Sequence, residues 1–254
     1  MSISNPWVQD LMATAVTFAV ALAWLRLLDT LAHRGLMSQH LSRKLIHIGT
    51  GPLFVLCWNL FSDGPQSRWL AALVPLTITA QFFLVGLGLI EDPAAVRAMS
   101  RTGNPREILR GPLYYGVIFV IATVVFWIHS PVGITALMVL CGGDGLADVI
   151  GRRWGVAKLP WAPGKSWAGS AAMFAGSFTF ALTFVALFNA LGHFQPALDL
   201  VNTALAIGVI ALIAALVESL PLHDVDNITV TLASITAAWL LIEPLGFWQA
   251  PFLA

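Results

Sequence analysis

The sequence predicts an all-α, polytopic integral membrane bundle of about eight (seven to eight) transmembrane helices. Three observations carry that expectation. Hydrophobic residues make up 58% of the chain and charged residues only 10%, with a mean hydropathy of +0.82, a balance foreign to water-soluble domains. The apolar residues arrive in runs of about 20, the length that crosses a bilayer as a helix. The Lys and Arg residues, finally, fall in alternate loops, as consecutive spans require.

The first run, 7–28, lacks the basic n-region and the cleavage site of a signal peptide, so it reads as a span; no transit peptide precedes it. The second, 45–61, contains His47, Gly49, Gly51 and Pro52. The third and fourth, 69–90 and 112–129, are almost free of charge. Only His129-Ser130-Pro131 separates the fourth from the fifth, 131–150, which predicts a tight hairpin. Runs 171–191, 201–220 and 229–248 complete the set. Trp7, Trp58, Trp69, Trp127 and Trp248 sit at run ends, where amphipathic rings favour the membrane–water boundary. No repeat or soluble segment interrupts the series, so a single domain, 1–254, is expected.

Of thirteen Lys and Arg residues, all except Arg68 lie in three segments, 26–44, 91–110 and 152–170. The positive-inside rule makes that side cytosolic and puts both termini on the other side. The expected home is a bacterial membrane, cyanobacterial for instance, or a plastid-type one. A net charge of zero removes the electrostatic case for nucleic-acid binding. Two cysteines, Cys57 and Cys141, both in apolar runs, do not suggest a disulfide or metal site.

The polar residues that remain form three clusters assigned to the same side. Gly142-Gly143-Asp144-Gly145-Leu146-Ala147-Asp148 leads to Gly151-Arg152-Arg153. Asp144, Asp148 and Arg152 are spaced four apart and share a helix face; Gly145 and Gly151 leave that helix open to close approach by backbone or ligand. Two carboxylates at a membrane helix end need compensation. A magnesium ion carrying nucleotide phosphates supplies it, and so, more simply, does an Asp148–Arg152 pair. Beyond a Pro-Gly turn, Lys165-Ser166 and Gly169-Ser170 offer an ammonium, hydroxyls and the N–H groups of a helix start, which suit phosphate. The spacing is not that of a Walker A loop. The second cluster, Arg43-Lys44-Leu45-Ile46-His47, puts Lys44 and His47 on one face; Arg43 and Lys44 also fit as plain anchors at a membrane boundary. The third runs from Glu218, inside an apolar run, through Ser219, His223 and Asp224 to Asp226-Asn227. An intramembrane carboxylate is a functional candidate by default; a solvated acidic loop is the plainer alternative.

At these residues the chain resembles the polyprenol and dolichol kinase family, whose relatives include phytol kinase and CTP-dependent diacylglycerol kinase. The resemblance rests on Arg43-Lys44-x-x-His47-x-Gly49, Gly143-Asp144-Gly145-x-Ala147-Asp148-x-x-Gly151-Arg152, Lys165-Ser166-x-x-Gly169-Ser170, and Glu218 with Asp226-Asn227-x-Thr229. These occur in family order over residues 41–232. Ala168 stands where many relatives carry Glu, and Ser166-Trp167-Ala168-Gly169-Ser170 is most similar to the phytol kinase branch. The resemblance implies transfer of the terminal phosphate of CTP, or UTP, to an isoprenoid alcohol. For phytol the product is phytyl phosphate, which feeds tocopherol synthesis and reuse of the chlorophyll side chain.

It also implies roles. Asp144 serves the magnesium–nucleotide complex, and Lys165 with Ser166 the phosphates. Asp148 completes the metal site or accepts the alcohol proton. Arg43, Lys44 and Arg152 stabilise charge on the transferring phosphoryl group, with His47 a further catalytic candidate. Gly143, Gly145, Gly151, Gly169 and Ser170 belong to the nucleotide site, and Glu218, Asp226 and Asn227 hold a second metal or the nucleotide. The alternatives are a CTP-dependent phosphatidate cytidylyltransferase, a diacylglycerol kinase and, from another class, a small transporter. The transporter fits poorly, because the polar residues gather at one end of the spans.

Overall fold

A computed structural model describes residues 5–222 and 225–242. His223, Asp224 and Trp248 therefore lie outside the described residues, as does the end of the eighth run. The chain divides into two compact units, with the break between Val124 and Val125.

In the first unit, α1 (Pro6–His33) starts where Asn5 accepts the Trp7 N–H at 2.9 Å and Pro6 occupies the first helical position, a residue that loses nothing there. Two turns of α2 (Gln39–Cys57) precede the predicted start of the second span; Ser38 caps them by accepting from Leu41 N–H. Ser42 Oγ donates to the Leu28 carbonyl at 3.0 Å and ties α2 to α1, around a small core of Leu28, Ile46 and Ala98. Gly49 meets the Trp24 ring so closely that a Cβ there would lie 2.5 Å from it. Next come α3 (Ser67–Gly86), the short α4 (Pro93–Met99) capped by Asp92, a 3-10 turn at Pro105–Leu109, and α5 (Gly111–Phe126). The loop expected between the third and fourth spans is thus partly helical.

Asp10, fully buried on α1, organises one end of this unit. It accepts from Ser62 N–H at 2.7 Å, Ser62 Oγ at 3.0 Å, Gln66 Nε2 at 2.8 Å and Ser67 Oγ at 2.9 Å. A carboxylate with four donors tolerates burial that an unpaired one does not.

The second unit surrounds an interrupted helix. Ser130 caps α6 (Pro131–Met138), which passes into a π-helical stretch, Val139–Asp144, and then into α7 (Gly145–Trp154). Every residue from Pro131 to Gly143 is buried, as befits a helix that is apolar on all sides and central to its bundle. The sequence predicts one regular helix here; the extra residue of the π stretch leaves no mark on composition. After α7 a two-stranded antiparallel hairpin, β1 (Lys158–Leu159) and β2 (Ala162–Ser166), replaces the expected plain loop. The helices α8 (Trp167–Ala190), α9 (Leu200–Glu218) and α10 (Asp226–Ile242) complete the unit. On α9, Val201, Leu205, Val209, Leu212 and Leu216 form one exposed apolar stripe, a face suited to lipid tails.

Among the described residues, six helical stretches are long and apolar enough to cross a membrane: 6–33, 67–86, 105–126, 131–154, 167–190 and 200–218; Asp226–Leu241 is a shorter apolar one. With α2, whose first turns are polar, helices stand at all eight predicted positions. The protein is a helical membrane bundle.

Candidate active site

In the second unit, three segments far apart in sequence meet. Lys165, near the end of β2, extends its ammonium to Glu218 Oε1 at 3.0 Å and Asp226 Oδ2 at 3.2 Å. It also donates to the Glu218 backbone carbonyl. The last residue of α9 and the first of α10 are thus joined through one lysine. All three side chains are largely withdrawn from water, with 17, 12 and 27% of their surface exposed. Asp144, at the end of the π stretch, is within electrostatic reach of Glu218. Three acidic side chains and a lysine thus share one region of this unit.

The hairpin is fixed to the same place. Trp161 Nε1 donates to the Ser219 carbonyl at 3.1 Å, immediately after Glu218, and the Trp161 and Trp167 rings meet edge to face at 5.7 Å. Pro160 and Trp161 make the turn, while Pro163 and Gly164, read from the sequence as a turn, lie within β2.

The start of α8 differs from the sequence reading. Ser166, not a residue near 170, is its cap, and its Oγ accepts the Gly169 N–H at 3.2 Å. The Trp167 N–H is given to the Ala157 carbonyl at 3.1 Å. The Gly169 amide, expected to be open for phosphate, is therefore engaged within the protein.

The glycines serve close packing of α8 on the interrupted helix. A Cβ on Gly151 would lie 3.3 Å from the Gly169 Cα, and one on Gly169 would lie 3.2 Å from the Ala147 carbonyl oxygen. A Cβ on Gly143 would lie 2.2 Å from Ser177 Oγ, and one on Gly176 2.5 Å from the Gly142 carbonyl oxygen. Gly151 thus allows close approach by the backbone of α8. Gly145 is buried at the start of α7. Asp148 pairs with Arg152 at 2.9 Å, one helical turn apart, so the simpler compensation foreseen for that carboxylate is present. Asn227 follows Asp226 in the first turn of α10, and its carbonyl accepts from Thr231 Oγ1 at 2.6 Å.

Two serines complete the picture. Ser170 Oγ and Ser177 Oγ are buried without a hydrogen-bond partner among the described residues, whereas Thr123, Thr231 and Ser234 each return their hydroxyl to a carbonyl one turn back. Ser170 belongs to the motif read from the sequence. Ser177 does not; a serine in an apolar span two turns beyond Ser170 was the only available signal.

The basic cluster lies in the first unit. Arg43 donates to the Ser100 carbonyl at 3.1 Å. The His47 ring packs on Tyr115 at 4.5 Å between centroids, and the Tyr115 hydroxyl donates to the His47 carbonyl. Lys44 lies on the same helix, three residues before His47 and half-buried.

Among the described residues, no three His, Cys, Asp or Glu side chains form a metal cage by themselves. Magnesium uses one or two carboxylates and completes its shell with water and phosphate oxygens. One or two of Asp144, Glu218 and Asp226 have the oxygen donors that such an ion takes.

Curated relatives resemble nearly the whole chain. A probable chloroplastic phytol kinase 1 of Oryza sativa subsp. japonica is 43% identical over 235 residues, 92% of this chain and 74% of the relative. The chloroplastic phytol kinase 1 of Arabidopsis thaliana is 37% identical over 93% of this chain and 78% of its own length. A chloroplastic farnesol kinase of the same plant is 40% identical over 93% and 77%. No family model matches the chain, and no solved structure does. The identity extends over both units and all the polar clusters, and on that ground the chain belongs to the phytol kinase family of membrane phosphotransferases acting on an alcohol.

Proposed function

We propose that the protein transfers the terminal phosphate of CTP to phytol, giving phytyl phosphate and CDP, with magnesium as the metal. The observation that carries this reading is the meeting of Lys165 with Glu218 and Asp226, beside Asp144, where membrane helices end. A cation and several carboxylates at that depth suit a water-soluble phosphate donor and a lipid acceptor whose hydroxyl rises to the same level. The kinase names of the relatives support the alcohol; the farnesol kinase puts a shorter isoprenoid among the acceptors to be tried. The product would enter tocopherol synthesis and phytol reuse. UTP is the second donor to compare.

In this reading the acceptor oxygen forms a bond to the terminal phosphorus, the bond from that phosphorus to the bridging oxygen breaks, and the alcohol proton leaves. Lys165 binds phosphate oxygens and orients the donor, while Asp144, with Glu218 or Asp226, would hold the metal. Magnesium, when bound, neutralises the charge spread over the phosphates. Asp148, oriented by Arg152, completes the metal site or takes the alcohol proton. The apolar helices of this unit exclude water, which protects the transferring group from hydrolysis. We assign this face to the cytosolic side because twelve of the thirteen Lys and Arg residues fall in its loops.

The test is product analysis with purified protein, magnesium, γ-labelled CTP and separate samples of phytol, farnesol, a long polyprenol and diacylglycerol. Label in phytyl phosphate is the expected result. Pyrophosphate release with phosphatidate, and no labelled lipid, would instead establish a cytidylyltransferase. Asp144→Asn is expected to abolish turnover and leave the protein folded; an active variant would remove Asp144 from the metal site.

A further inference from the structure

The hairpin between α7 and α8 has a surface that neither the spans nor the proposed chemistry uses. One membrane span ends at Trp154 and the next begins at Trp167, so the residues between them lie where the bilayer gives way to water. Between Val149 and Ser170 there are four Lys and Arg residues and no Asp or Glu. Two of the four are engaged within the unit, Arg152 by Asp148 and Lys165 by Glu218 and Asp226. The other two, Arg153 and Lys158, are exposed. Apolar groups accompany them. Val156 is 92% exposed, Trp154, Trp161 and Trp167 each expose about half their surface, and the Arg153 guanidinium rests over the Trp154 ring at 5.2 Å.

We propose that this hairpin docks on an anionic lipid leaflet, with Arg153 and Lys158 on the headgroups and Val156, Trp154 and Trp161 in the boundary layer. Exposed aromatic rings interleaved with cations, at the level where spans end, are the composition that binds such a surface. Attraction to anionic lipid is worth about fivefold per basic residue near the surface, so two residues favour the docked arrangement by about 25-fold. The docking has a consequence for the site. Lys165 closes the same hairpin, and Trp161 fastens it to Ser219, so the lipid surface sets the height at which the lysine is held. Only this last consequence rests on the function proposed above.

Val156→Cys provides the probe, because Cys57 and Cys141 are both buried. The variant is labelled with acrylodan and reconstituted into phosphatidylcholine vesicles, with and without phosphatidylglycerol. Blue-shifted emission and protection from iodide are expected only with phosphatidylglycerol. Both should weaken as salt is raised, vanish in Arg153→Gln/Lys158→Gln, and persist in Arg153→Lys/Lys158→Arg. Equal emission in the two vesicle types, whether blue-shifted in both or in neither, overturns the proposal. The dye reads docking without catalysis, so it separates failure of the docking from failure of the kinase reading. Turnover of the wild type in the same vesicles then tests the consequence for Lys165.

Discussion

Replacing Lys165 by Ala removes the ammonium that bridges Glu218 and Asp226. With contacts at 3.0 and 3.2 Å, each pair has a gross attraction of about 5 kcal/mol at an effective dielectric of about 20. Much of that is spent on desolvating the three groups. Stranding the partners of a fully buried pair costs roughly 3–5 kcal/mol. Since these side chains keep some exposure, we expect a loss of about 2–3 kcal/mol, or about 30- to 150-fold in the folding equilibrium. The assay is SDS titration of the protein in mixed micelles, followed by circular dichroism. A triple variant, Lys165→Met with Glu218→Gln and Asp226→Asn, removes all three charges and should recover most of the stability and none of the turnover. Lys165→Ala as stable as wild type would refute the electrostatic account. Wild-type turnover in the triple variant would take Lys165 out of the phosphate site.

Three further outcomes follow from the contacts. Asp10→Asn puts an NH2 among hydroxyl and amide donors now facing a carboxylate; a loss of about 2–4 kcal/mol should appear as a lower midpoint in the same titration, and an unchanged midpoint would show that the four hydrogen bonds contribute little. Gly176→Ala drives a methyl toward the Gly142 carbonyl oxygen, which forces backbone to move at a cost of about 1–3 kcal/mol; turnover should fall further than stability, since Gly142 precedes Asp144 by two residues, and equal losses would argue against that transmission. Ser166→Ala should cost about 1 kcal/mol through the lost cap, with Ser166→Asn recovering it; failure of Asn to recover stability would mean that the hydroxyl does more than cap α8.

The spans were legible because a membrane imposes a length and a composition that a sequence displays directly. The places where the chain departs from apolar helix were legible too, since a carboxylate such as Glu218 has no reason to sit in such a run without a partner. Which partner it takes was not legible. Lys165 and Glu218 are 53 residues apart, and only the packing of α8 and α9 brings them into contact. Structural uses of the same residues were equally hard to read: Gly151 and Gly169 admit a neighbouring helix, Ser166 caps one, and Arg152 holds Asp148. The hairpin was hidden because strands of two and five residues show no alternation. Asp10 carried the signal that singled out Glu218, an acid inside an apolar run, with Ser62, Gln66 and Ser67 as its waiting donors.

The π-helical stretch Val139–Asp144 sets the phase of everything after it. One residue of an α-helix turns the chain by about 100°, and a π turn absorbs one residue more than an α turn. Deleting a single residue between Val139 and Gly143 would let the segment relax to an unbroken α-helix, still apolar and still long enough to span. The row of Asp144, Asp148 and Arg152 would then face a different quarter of the bundle. In this protein the bearing of the acidic row is kept by one surplus residue in the core, so a change at Leu140 or Cys141 that alters chain length would silence the site while leaving every motif letter in place.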